Sequence, residues 1–110
     1  MAFLVFATAA ILAALLWLIS RWFRPHFAGR DRVVMHWSFT GEPTSWASPH
    51  LALALTPALG TVSLALVASG IVFATPDGER TLAVVALIGI GLVFAAIHAT
   101  HLWFAQRADR

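Results

Sequence analysis

Three long stretches of the chain, residues 1–20, 51–74 and 82–104, carry no charged side chain. A bilayer core about 30 Å thick is crossed by about 20 helical residues at 1.5 Å each, and each stretch has that length. In lipid every backbone N–H and C=O must be satisfied within the chain, which leaves helices and closed barrels. Barrel strands alternate lipid-facing and lumen-facing residues with period two, and these stretches do not. The pattern therefore predicts an all-α membrane protein: one domain over 1–110, built from three transmembrane helices. The first stretch reads as a retained helix rather than a cleaved leader. No basic segment precedes its apolar run, and Ser20 is followed by Arg21 and aromatics, not by a small-residue cleavage site.

Local signals fit these boundaries. Ser48 is a favoured N-cap and Pro49 falls at the first helical position of the second span. Thr75-Pro76-Asp77-Gly78 reads as a tight turn. Asp77 and Glu79 then lie near the start of the third helix, and Arg107 and Arg110 follow its end, both favourable to the helix dipole. Pro57 predicts a kink in the second span, which membrane helices tolerate. Ala9/Ala13, Ala10/Ala14, Ala65/Ser69, Gly91/Ala95 and Ala95/Ala99 are small residues four apart. Such pairs allow close helix approach, within the bundle or toward a partner chain.

The interfacial loop, residues 21–50, is too long for a mere connector. From Arg32 to Phe39 it alternates, with Val33, Met35, Trp37 and Phe39 on one side and Val34, His36 and Ser38 on the other. That is a short strand pattern. Gly41 marks a turn and Glu42-Pro43 continues an extended path. The expectation is a small ordered element, such as a β-hairpin, lying on the membrane with its apolar side down.

Composition supports the membrane class. Of the residues, 60% are hydrophobic and only 11% charged, against about 25% charged in a soluble domain. There is no cysteine, so a disulfide scaffold is excluded. The pI of about 11.2 looks like that of a nucleic-acid-binding protein, but no such partner is expected. All seven basic residues are Arg, the net charge is only +2, and no basic run exists to neutralise phosphates. With 21 Ala and neither Lys nor Asn, the composition hints at a GC-rich bacterial genome through its codons, and the expected location is the bacterial inner membrane. Three spans put the loop and the C-terminus on one side. That side holds Arg21, Arg24, Arg30, Arg32, Arg107 and Arg110; the other holds Arg80 alone. The Arg count places loop and C-terminus in the cytoplasm and the N-terminus outside.

The same count delivers every His (His26, His36, His50, His98, His101) and every Trp (Trp17, Trp22, Trp37, Trp46, Trp103) to one end of the bundle. Trp17, Trp22 and Trp103 read as an interfacial belt, while Trp37 and Trp46 are placed to hold the loop on the helix ends. His98 and His101, three apart, share a helix face, and Gly91, Ala95 and His98 form one inward stripe. Intramembrane ionisable residues are functional candidates. The plainest role for the pair is hydrogen bonding to carbonyls or interfacial water. A metal or haem site is the second, with His36 or His50 completing the ligands, since structural zinc takes four N or S donors. Proton handling or ligand sensing is the third. Glu42 is placed to pair with an Arg, or to act as an outer ligand or a base. No Ser/His/Asp arrangement has a recognisable frame, and Gly89-x-Gly91 lies mid-span, where it serves helix packing rather than phosphate binding.

Residues 33–48, VVMHWSFTGEPTSWAS, resemble the domain of unknown function at the N-terminus of Sdp-type immunity and signalling membrane proteins. His36, Trp37, Gly41, Pro43, Trp46 and Ser48 match that family's loop, and Pro57 matches a proline inside its next helix. The resemblance covers about residues 3–74. Ser38 departs from the usual Asn or Asp, and Pro49-His50 replaces a basic residue. Members often begin with Lys, which implies a loop outside the cell, opposite to the Arg count. The resemblance implies no enzymatic activity. It implies a partner- or ligand-binding loop using His36, Trp37, Gly41, Glu42, Pro43, Trp46 and Ser48.

Three functions follow as expectations. The first is a non-catalytic membrane module: an Sdp-type immunity, sensing or accessory component, acting through this loop on a larger membrane partner or as a homo-oligomer, without a cofactor. The second is a zinc or haem protein ligated by His98, His101, His36 and His50. The third is an enzyme using His36 and Glu42 as acid and base.

Overall fold

The computed structural model describes residues 2–107. Three helices, α1 (Ala2–Phe23), α2 (Pro49–Ala74) and α3 (Arg80–Arg107), are each long and apolar enough to cross a membrane. All three outrun the uncharged stretches. α1 continues past Ser20 through Arg21 to Phe23, and α3 begins at Arg80 and ends at Arg107. Charge bounds the apolar run, but it does not stop a helix once its side chains reach polar surroundings. Arg110 lies outside the described residues.

The α2 start forms as its sequence dictates. Ser48 is extended (φ −63°, ψ 153°), and its hydroxyl accepts from the Leu51 N–H at 3.2 Å, with Pro49 next in line. Ser48→Ala is expected to cost about 1 kcal/mol, measured as a lower thermal midpoint in detergent. At the opposite end the predicted tight turn is a 3-10 turn, Asp77–Glu79. There Arg80 pairs with Asp77 at 3.3 Å and its Nη2 donates to the Val72 carbonyl at 3.2 Å, so the end of α2 is tied to the start of α3.

The helices share a core of Val5, Ala9, Leu12, Leu16, Leu64, Ala68, Ile71, Leu87 and Ala95. Gly91 and Ala95 are buried, as their small-residue spacing predicts, and a Cβ on Gly91 would lie 2.6 Å from Leu12 Cδ1 and 2.9 Å from its Cβ. Gly89 differs: nothing lies within 4 Å of its Cβ position, so it takes no part in this packing. Ala10 and Ala14 face outward, and Ser69 spends its hydroxyl on the Ala65 carbonyl of its own helix. The outer faces carry large apolar side chains, among them Ile11, Leu66, Phe73, Val85 and Ile97.

After α1 a 3-10 turn, Arg24–Phe27, leads into an antiparallel hairpin of β1 (Val33–Trp37) and β2 (Pro43–Ala47). A second cluster seats it: Phe23, Phe27, Val33, Ala52, Leu53, Leu102 and Ala105, with Met35 and Trp37 against it. Two departures from strict alternation appear. Val34 is buried along with Val33, and Phe39 is fully exposed. Irregularities in the ladder around His36 break the period of two, and Phe39 lies beyond the strand, at the tip. Gly41 sits there at φ 87°, a backbone conformation that costs a side-chain-bearing residue but not glycine.

Candidate functional site

A proline sets up the most buried polar contact. Pro57 has no N–H, so the carbonyl four residues back, that of Leu53, has no helical donor. Ser20, from α1, supplies one: its hydroxyl donates to Leu53 O at 2.5 Å. Having given its proton, Ser20 Oγ accepts from His98 Nε2 at 2.6 Å. Both side chains are buried, His98 completely. The direction of these bonds fixes His98 as the Nε2–H tautomer. One serine thus joins α1, α2 and α3. With the Ser20 proton directed at Leu53 O, His98 Nε2 faces Ser20 as the donor.

One turn beyond His98, His101 serves the hairpin. Its Nε2 donates to the Val34 carbonyl at 3.0 Å, and its ring meets Trp37 edge-on with centroids 5.8 Å apart. Arg30 closes the other side. Nη1 and Nη2 donate to the carbonyls of Ala105 and Gln106, at 2.9 and 2.5 Å. These belong to the last turn of α3, where carbonyls lack helical donors and positive charge is favoured. The loop and the end of α3 therefore meet, as the span count requires.

The remaining candidates lie on the hairpin. His36 Nδ1 pairs with Ser45 Oγ across the strands at 3.2 Å. The Arg32 guanidinium stacks on Trp46, 4.6 Å from the ring centroid. The tip is closed by Ser38, whose N–H donates to the Glu42 carbonyl at 2.8 Å and whose Oγ accepts from the Glu42 N–H at 3.3 Å. Pro43 is paired in the ladder with Trp37, and Ser48 is the α2 cap. Glu42 makes no ion pair with any described Arg, contrary to one of its expected roles. Its contribution to the hairpin is through the backbone.

Of the expected ligand set, His98 and His101 turn to different partners, His36 lies on the exposed face of β1, and His50 is exposed in the first turn of α2. Among the described residues no three His, Asp or Glu side chains gather as a metal ion requires. The Trp assignments divide too. Trp22 and Trp103 are exposed near the helix ends, in keeping with a belt. Trp17 is exposed as well, and it donates to Thr61 Oγ1 at 3.1 Å while Thr61 donates to the Pro57 carbonyl at 2.7 Å, so this indole also bridges α1 to the proline region. Trp37 seats the loop, whereas Trp46 remains exposed under Arg32.

Three contributors were not apparent as such in the sequence: Ser20, which marked only the end of a span, Arg30, which counted only as a charge, and Phe39, assigned to the buried side of the strand. For Ser20 a signal existed, since Pro57 demands an outside donor for Leu53 O. Comparison of the chain with protein-family models, with curated proteins and with solved structures finds no match.

Proposed function

We propose that the protein is a multi-pass, non-catalytic module of the bacterial inner membrane, an immunity, sensing or accessory component of the Sdp-like kind. It acts through its hairpin on a larger membrane partner. The observation that carries this reading is the contrast between the hairpin's base and its tip. The base is held to the bundle by His101 on Val34 O and by the Met35 and Trp37 packing. The tip holds Phe39, fully exposed, while His36 is exposed along β1 and Arg32 stacks on the exposed Trp46 nearer the base. Aromatic and Arg side chains presented on a rigid element are the usual anchors of protein interfaces. Membrane insertion is supported by the three apolar helices and their apolar outer faces. The long dimension of 51 Å exceeds the ~30 Å hydrocarbon core, which leaves room for the hairpin in the headgroup region. The Arg count favours a cytoplasmic hairpin.

A photo-cross-linking residue in place of Phe39 is expected to give one discrete protein adduct in cells, and the same residue in place of Phe73, on the outer face of α2, to give none. Phe39→Ala should abolish capture through a second cross-linker at Thr40 while changing stability by less than about 0.5 kcal/mol, as for other surface substitutions. Absence of an adduct from both tip positions contradicts the proposal.

A further inference from the structure

We propose that the cleft between the end of α1, the 3-10 turn after it and the start of α2 binds an anionic phospholipid. The cleft encloses about 670 Å³, within the range of small-molecule sites, about 300–1,000 Å³. Its ionisable lining is wholly basic: Arg24, Arg30 and His50, with no carboxylate. Its apolar lining includes Trp17, Phe27 and Leu53.

The two halves are ordered along the helices. Arg24 follows Trp17 by seven residues, about 10 Å of helical rise, and Leu53 lies one turn of α2 below His50. The basic groups stand at the loop end, with Phe27 under Arg30, and Trp17, Leu53 and Ala54 lie toward the middle of the bundle. A phospholipid has this polarity when its acyl chains run parallel to the helices. Free phosphate would use the upper half alone, and a neutral lipid the lower half alone. Arg30 adds charge while holding the α3 carbonyls; Arg24 and His50 are exposed and offer donors to a headgroup. The Trp17–Thr61 bond fixes the deeper wall in advance. A neighbouring groove, sharing Pro25, is lined by Arg21 and His26 beside Leu18 and Trp22, again without a carboxylate. The basic lining thus continues around α1, where clustered cations beside a membrane helix attract anionic headgroups.

This inference rests on the membrane insertion proposed above and not on the hairpin's partner. The test is native mass spectrometry of the full chain in neutral detergent with equal phosphatidylglycerol and phosphatidylcholine. Retention of phosphatidylglycerol is expected to exceed that of phosphatidylcholine about tenfold, the scale of one or two basic side chains at an anionic surface. Arg24→Gln/His50→Gln should erase the preference. Arg32→Gln/His36→Gln, which alters the same residue types on the hairpin, should keep it, and excess inorganic phosphate should not displace the lipid. Equal retention of the two lipids overturns the proposal, as does a preference that survives in the Arg24/His50 variant. Complete displacement by phosphate reduces the site to one for free anions and overturns it too. As a check independent of folding in the variants, phosphatidylglycerol should raise the wild-type thermal midpoint above that in phosphatidylcholine; equal midpoints count against the site. Release of the chain from membranes by alkaline carbonate would overturn the membrane reading itself, whereas a retained chain without lipid preference overturns only the cleft.

Discussion

Ser20→Ala is expected to destabilise the bundle by about 2–3 kcal/mol, read as a lower thermal midpoint in detergent. The substitution removes one hydroxyl but strands two buried groups. The Leu53 carbonyl loses its donor, which Pro57 cannot replace, and the His98 N–H loses its acceptor. Each buried polar group left unpaired costs about 1–3 kcal/mol. Interhelical hydrogen bonds in membranes average less, about 0.6 kcal/mol with a maximum near 1.7, because the unfolded chain also finds partners. Two lost bonds span about 1.2 kcal/mol at that average and about 3.4 kcal/mol at the maximum, and the burial of both stranded groups places this pair in the upper part of that span. Pro57→Ala gives the diagnostic result. An Ala at position 57 restores an N–H to Leu53 O, so in the Ser20→Ala background it should recover part of the loss. Independent sites would add instead. If the proline change gives no recovery, Ser20 is not standing in for the missing helical donor.

Gly91→Val should be comparably damaging, about 2–3 kcal/mol, and should separate α1 from α3. The first added carbon would already fall inside van der Waals contact with Leu12, including its Cβ. A methyl at the far end of a side chain can rotate away, but a Cβ moves only with its backbone. Valine adds two further carbons to the same clash. Gly89→Ala supplies the control. Its Cβ position is open, and the gain of helix propensity, up to about 1 kcal/mol, should leave stability equal or higher. A Gly91→Val chain with an unchanged thermal midpoint would contradict the packing of α1 on α3.

The helices were legible because lipid-length apolar runs admit few alternatives, and their starts because Ser48-Pro49 and Asp77-Gly78-Glu79 carry local capping and turn chemistry. The hairpin was legible from alternation and Gly41, but its sidedness was not. The ladder irregularities around His36 come from pairing with β2, which β1 alone does not encode, and Phe39 is exposed because β1 ends at Trp37, before it. Periodicity placed His98 on the inward stripe with Gly91 and Ala95, and all three are buried. It could not name Ser20 as the partner, since the two are 78 residues apart and meet only through packing of α1 on α3. His98 and His101 share a stretch of helix yet serve different neighbours, because the residue nearer the helix end reaches the hairpin and the deeper one reaches only the core.

The architecture places the hairpin and the end of α3 at one end of the helix bundle and the Asp77–Glu79 turn at the other, and in the proposed membrane setting these two ends lie on opposite sides. The chain has no cysteine, so single cysteines introduced by Thr40→Cys, Gln106→Cys and Gly78→Cys report on sidedness without background. In sealed vesicles of one orientation, a membrane-impermeant maleimide should label positions 40 and 106 together and leave position 78 unmodified, and vesicles of the opposite orientation should reverse the result. Labelling of position 78 together with position 40, or of positions 40 and 106 from opposite sides, would contradict the three-crossing arrangement on which the buried serine contact, the hairpin and the lipid cleft all depend.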